Sequence, residues 1–295
     1  MSKQLLIGLP STGKTTFLAA LWHVISSEEV DGSLHCEEYS DDIEYLERIR
    51  ESWAECQQVS HTRTGSVKYA YFDLRDPATD RRTQLALPDV AGEIFEQQWG
   101  NRQWSNKFAE AADGASGILL FIHPEELGEP TLITEVHAPD FTGADGGTAP
   151  SGAAYRPQSS DWDPRDAPTQ VKLVDLLQFL DAHLSCSRPL GLAIIVSAWD
   201  LVEDTPSPDI SPKGWIEDRM PLLNQFIQSN PDIINTEVYG LSAQGGRLDE
   251  PDSVESLARI MPPSERIRVR QGQKYLDHDI TEPVKWLMQL DAESK

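Results

Sequence analysis

The chain begins with a short apolar run, "QLLIGL" at 4–9, which reads as a buried strand. In the "TTFLAALWHVI" that follows soon after, Phe17, Leu18, Leu21, Trp22 and Ile25 recur at helical spacing. A second helix is predicted over 40–58, with Ser40 as its N-cap and Ile43, Leu46, Ile49 and Trp53 along one face. The stretches 66–76 and 81–89 read as strands, and the turn-rich "DPATD" between them predicts an antiparallel pair. Apolar runs at 117–124, 190–200 and 236–243 read as further buried strands. Helical patterns at 170–184, 215–228 and 279–290 lie between or after them. Two stretches break the rhythm. Residues 128–169 are rich in Gly, Pro, Asp and Ser and read as a surface insertion, and 247–278 reads as a second one, with a hairpin in "ERIRVRQGQKYLD". The alternation predicts one domain over 1–295, an α/β sheet with helices on both faces. A ligand is then expected at the carboxyl ends of the strands.

Charge narrows the partners. The formal net charge is −23, from 48 acidic and 25 basic residues. Such an excess of carboxylates repels phosphate backbones and anionic lipid, which argues against general nucleic-acid or membrane-surface binding and favours solubility or a basic partner. A single bound nucleotide stays compatible, because a phosphate loop builds its own positive pocket from backbone N–H groups. The cysteines Cys36, Cys56 and Cys186 are odd in number and lack metal or redox spacing, as expected of reduced thiols in a cytoplasmic protein. No stretch reaches the length of a membrane span.

The chemistry starts at "GLPSTGKTT". Gly8 and Gly13 flank a loop whose N–H groups can turn inward on an anion, at the positive end of the next helix. Ser11, Thr12, Gly13 and Thr16 are assigned to phosphate contacts, Lys14 to the β- and γ-phosphates, and the Thr15 hydroxyl to Mg²⁺. The strand "LALPDVAGE" ends in Asp89, a second metal station, with the Gly92 N–H placed for the γ-phosphate. Later, "IIVSAWD" ends in Asp200 and "YGLSA" in Ser242 and Ala243.

With "GLPSTGKT", "DVAG", "SAWD" and "LSA" in this order, the chain resembles the TRAFAC class of P-loop GTPases, the group that includes Ras-like proteins and translation factors. The resemblance implies a mostly parallel six-stranded sheet with one antiparallel strand, bound GTP or GDP, and Mg²⁺. It also implies that the Asp200 carboxylate accepts from guanine N1 and its 2-amino group, while the Ser242–Ala243 backbone meets the guanine oxygen. Adenine offers no matching pair of donors. Ser197 and Ala198 stand where the class carries Asn or Thr and then Lys, so the lysine packed on the base is missing, and Trp199 is expected to supply apolar surface in its place. Guanine preference should be looser for that reason. Within the class, "TTFLAALW" and "HDITEPVKWL" look like bacterial double-GTPase proteins, which occur beside partner proteins in conflict or phage-defence gene neighbourhoods.

The class also needs a threonine that meets Mg²⁺ and the γ-phosphate; in "SHTRTGS" this is Thr64, with Thr62 as the alternative. Arg63 reads either as an arginine finger in cis or as a solvated side chain. Glu93 stands where the class often has the water-orienting glutamine, or else is an acid favoured at a helix start. Its charge beside phosphate predicts slow hydrolysis unless a partner, Arg63 or Arg102 offsets it. The leading function is a GTP-hydrolysing molecular switch read by a protein partner. The competing readings are an ATPase or small-molecule kinase, with Arg156 and Arg165 in a lid, and a scaffold that holds nucleotide without turnover.

Overall fold

A computed structural model describes residues 1–39, 43–59, 69–88, 99–130, 163, 166–183, 189–205 and 210–293. The strands are β1 (Ser2–Gly8), β2 (His35–Tyr39), β3 (Tyr69–Arg75), β4 (Arg82–Pro88), β5 (Gly117–Ile122), β6 (Leu190–Ser197), β7 (Ile234–Ser242), β8 (Arg268–Gln271) and β9 (Lys274–Tyr275). They form one nine-stranded sheet in the order β2-β3-β4-β1-β5-β6-β7-β8-β9. β4, β1, β5, β6 and β7 run parallel, while β2 and β3 at one end and β8 and β9 at the other pair antiparallel.

This corrects the expected six-stranded sheet, for two reasons. β2, "HCEEY", is a largely exposed edge strand, so it lacks the alternation that betrays a half-buried strand. The hairpin expected within 247–278 is present as β8 and β9, and it lengthens the sheet by pairing β8 with β7. Gly272, at φ +57, makes the turn between β8 and β9.

The helices are α1 (Lys14–Ser27), α2 (Ile43–Ala54), α3 (Asn106–Ala112), α4 (Thr169–His183), α5 (Asp200–Glu203), α6 (Pro212–Arg219), α7 (Pro221–Gln228), α8 (Pro251–Ala258) and α9 (Glu282–Glu293). The helix expected over 215–228 is two, because Met220 leaves helical geometry before Pro221 opens the next. α3 and α8 are short and were not foreseen. In α2, Leu46, Ile49 and Trp53 are buried as expected, but Ile43 at its start is 40% exposed. Its proposed cap, Ser40, lies outside the described residues.

Both faces of the central strands are buried, which explains their continuous apolar runs. Leu6, Leu119, Phe121 and Ile195 face a core shared with α1, α2 and α9. Leu5, Ile7, Ile118, Leu120, Ile194 and Val196 face the other, under α3, α4, α5, α6 and α7. Each such side chain contributes about 1.5–3 kcal/mol by leaving water. Between β3 and β4, Asp76 accepts from Ala78 N at 2.9 Å and from the Thr79 hydroxyl at 2.6 Å, so the "DPATD" turn is held by its own aspartate. Distant segments close the fold: the Gln4 amide of β1 donates to Asp291 of α9 at 2.8 Å, and Leu34 N donates to the Thr281 hydroxyl at 3.2 Å. Among the described residues, no helix is long and apolar enough to cross a membrane.

Candidate functional site: a nucleotide cleft at the strand ends

β1 stops at Gly8 and α1 starts at Lys14, so residues 8–14 must turn within a few peptides. The turn is made by Ser11 at φ +57 and Gly13 at φ +83. Left-handed backbone at Gly13 costs little only because it lacks a Cβ. Gly8 is needed for space: a Cβ there would stand 2.8 Å from the Phe121 carbonyl oxygen and 2.8 Å from the Thr12 hydroxyl. Thr12 is buried and donates to the Leu9 carbonyl at 2.8 Å. The Lys14 ammonium lies across the loop, donating to the carbonyls of Gly8 at 2.9 Å and Leu9 at 2.5 Å. Thr15 and Thr16 occupy the first turn of α1.

β6 and β7 bring up the second wall. Ser197 ends β6 and donates to the Ile122 carbonyl at 3.1 Å, and a Cβ on Gly13 would lie 3.3 Å from it. The serine thus packs the end of β6 against the phosphate loop. Ala198, at φ +45, turns the chain so that Asp200 begins α5. Asp200 is buried and accepts a short hydrogen bond from the Ser242 hydroxyl, which in turn accepts from Gly245 N at 2.9 Å. One oxygen of the buried carboxyl is thus held from behind.

Between these walls runs a cleft of about 440 Å³, lined by Gly13 and Thr16 on one side and Asp200, Ser242 and Ala243 on the other. Of the residues assigned from sequence, Gly13, Thr16, Asp200, Ser242 and Ala243 line this cleft, while Gly8, Ser11, Thr12, Lys14 and Thr15 belong to the adjoining loop and first turn of α1 without lining it. Thr62, Arg63, Thr64, Asp89, Gly92 and Glu93 lie outside the described residues, as do Arg156 and Arg165. No group of three or more His, Cys, Asp or Glu placed to hold a metal occurs among the described residues.

Two expectations need correction. Trp199 does not face the cleft: it is 1% exposed, donates to Glu203 at 2.8 Å, and packs so tightly on β7 that a Cβ on Gly240 would stand 2.3 Å from its ring. Its neighbour Asp200 takes the cleft because successive residues entering a helix point in different directions. Arg102, considered as a charge offset at the phosphates, is instead ion-paired with Asp175 of α4 and stacked on Trp99 at 5.6 Å.

The cleft also contains residues that the motifs did not reveal: Gln58, His123, Glu125, Gln244 and Arg247. His123 directly follows β5, and the rule that ligands meet the carboxyl ends of parallel strands could have found it. Burial holds its imidazole below the ordinary histidine pKa, against the opposing pull of Glu126, Glu125 and Asp200. Arg247 is ion-paired with Glu125 at 2.7 Å, bridging the strand end and the loop after β7. That loop is anchored from below by Trp53, whose indole reaches the Ala243 carbonyl, and Arg266 stacks on the same indole at 4.6 Å.

A turn of this geometry at a helix start, opposed by a buried carboxylate, defines a nucleotide-binding α/β protein. The family comparison is more specific. The model of the family described as Double-GTPase 1 matches residues 5–287, so the chain belongs to that family and is a GTPase. No curated protein matches significantly. Among solved structures, the chain is similar to a bacterial selenocysteine-specific elongation factor, EF-Sec, at 13% identity and TM-score 0.35 over 87% of this chain and 29% of that one. It is also similar to sup35 complexed with GDP, at 13% identity and TM-score 0.34 over 83% of this chain and 38% of that one. A third is the S. cerevisiae Ski7 GTPase-like domain bound to GTP, at 11% identity and TM-score 0.42 over 88% of this chain and 46% of that one. The chain thus spans less than half the length of each.

Proposed function

We propose that this chain is a Mg²⁺-dependent GTP switch, a single domain whose triphosphate-bound form is read by a protein partner, and that it serves a bacterial conflict or phage-defence system. Membership of a GTPase family supports the nucleotide and the reaction. The observation that carries the site assignment is the shared cleft of Gly13, Thr16, Asp200, Ser242 and Ala243.

In this reading the loop N–H groups from Ser11 to Thr16 hold the α- and β-phosphates, and Lys14 exchanges its carbonyl partners for the β- and γ-phosphates. Asp200 accepts from guanine N1–H and the 2-amino group with its remaining lone pairs, and the Ala243 N–H donates to O6. The described residues fit Mg²⁺ as far as they go: Thr15 follows Lys14 on the first turn of α1 and offers a hydroxyl of the hard-oxygen type this ion takes. Thr64 and Asp89 would complete the protein's share. The ion would neutralise charge building on the phosphate oxygens. Gly92 would donate to the γ-phosphate, Glu93 would orient the attacking water, and Arg63 would offset its negative charge. Slow intrinsic turnover would follow from Glu93, which brings a negative charge to a negative phosphate where a glutamine would bring none.

The test is base exchange. Asp200→Asn turns an acceptor into a donor and should move preference from GTP to XTP, whose position 2 presents an oxygen. Unchanged preference for guanine over xanthine, measured by displacement of a fluorescent GDP, would refute the assignment.

A further inference from the structure

The loop that follows β7 is tied down at several polar groups. Ser242 is bound to Asp200, Gly245 N to Ser242, and the Ala243 carbonyl to the Trp53 indole. Gly245, at φ +85, presses so closely on Arg266 that a Cβ would stand 2.4 Å from the arginine's carbonyl oxygen. The backbone of Gln244 therefore has little freedom. Its side chain is buried, 7% exposed, yet among the described residues neither Oε1 nor Nε2 has a hydrogen-bond partner. Gln244 is also part of the cleft wall, beside Ala243 and on the same side as Asp200.

A primary amide out of water and unpaired at both ends is an unfavourable arrangement that most folded proteins avoid. A leucine of similar size would remove the penalty. Where such a group persists in a ligand cleft, its partner is most simply the ligand. Resting on the proposed guanine site, we propose that Gln244 is a second base-reading residue, whose Nε2 donates to the Hoogsteen edge of guanine, at O6 or N7. Both of those atoms are acceptors, and the amide nitrogen carries two hydrogens. Asp200 reads the donors at N1 and the 2-amino group, so the two side chains contact different atoms of the same base. This compensates for the lysine that Ala198 replaces: planar stacking is lost, and an edge contact is gained. The same amide can also turn its oxygen to the 6-amino group of adenine, which predicts a guanine preference looser than a dedicated donor would give.

The experiment compares GDP, 7-deaza-GDP and 6-thio-GDP on the whole chain and on Gln244→Leu, with Gln244→Glu as the second variant. Gln244→Leu should weaken GDP about five- to tenfold, the size of one neutral hydrogen bond. The loss should shrink to less than about twofold with whichever analogue lacks the atom being read. Gln244→Glu, an acceptor at both atoms when ionised, should weaken GDP further than Gln244→Leu and raise the ratio of ADP to GDP affinity. Without nucleotide, Gln244→Leu should melt no lower than the parent, because it removes an unpaired buried amide.

An undiminished loss with both analogues, no loss with GDP, or a marked drop in the melting point without nucleotide would each overturn the proposal. The failure is separable from that of the site itself: Asp200→Asn reports on the guanine site, and the analogue cycle reports on Gln244 alone.

Discussion

The indole Nε1 of Trp53 donates to the carbonyl oxygen of Ala243 across 2.9 Å, joining residues 190 positions apart. Trp53 is wholly buried near the end of α2, sandwiched by His23 at 4.9 Å and the Arg266 guanidinium at 4.6 Å. Arg266 in turn donates to the carbonyls of Trp53 and Ala54 and contacts the Cys56 thiol. The start of the segment assigned to the switch, just past Gln58, is thus tied to the loop assigned to the base. Trp53→Phe keeps the aromatic core but removes the donor and part of the volume. It should destabilise the fold by about 1–3 kcal/mol and speed nucleotide release several-fold, read by denaturant titration and by loss of fluorescent GDP. Unchanged release with lowered stability would limit the contact to a structural role.

Gly240→Ala tests the buried tryptophan of "SAWD". The new methyl would meet the Trp199 ring at 2.3 Å, and a ring in a packed core cannot retreat without moving its neighbour Asp200. The expected cost is about 1–3 kcal/mol of stability, with a larger proportional loss of GDP than of phosphate binding. Equal weakening of GDP and pyrophosphate would show that the ring relaxes elsewhere.

Lys14→Ala removes an ammonium whose described partners, the Gly8 and Leu9 carbonyls and the Thr12 hydroxyl, belong to the loop itself. The fold should survive with a melting point within a few degrees of the parent. Multiple-turnover phosphate release should fall by at least about a hundredfold, as for other groups aimed at developing phosphate charge. Residual release near the parent rate would place the chemistry elsewhere.

His123 gives the protein an acid-side sensitivity. Burial depresses its folded-state pKa below the ordinary 6.5, while Glu126, Glu125 and Asp200 pull it upward and Arg247 pushes it down. A depressed pKa means that the unfolded chain binds the proton more readily. Stability is therefore complete above about pH 6.5 and is lost as pH falls towards the folded value. Melting curves between pH 8 and 5 should show a steeper decline for the parent than for His123→Gln. Identical slopes would assign the decline to carboxylates instead.

The parallel strands were legible in sequence because both faces are buried: β5 and β6 read as unbroken apolar runs with little competing signal. The phosphate loop and Asp200 were legible because their chemistry demands fixed spacing near strand ends. β2 was not, since an exposed edge strand needs charge more than alternation, and "HCEEY" carries two glutamates. Nor could Trp199 be placed: an indole beside a ligand-facing aspartate reads as a base platform until Gly240 shows where the ring has room. Gln244 and His123 have ordinary sequence neighbours. Only the convergence of β5 and β7 on one cleft gives them a role.

The Gln4–Asp291 and Leu34–Thr281 contacts set a timetable for the newborn polypeptide. The strand leading into the phosphate loop is synthesised long before α9, which carries the partner of its Gln4 amide. Such long sequence separation slows folding, so the strand in front of the phosphate loop gains its last contacts only when α9 has joined the sheet.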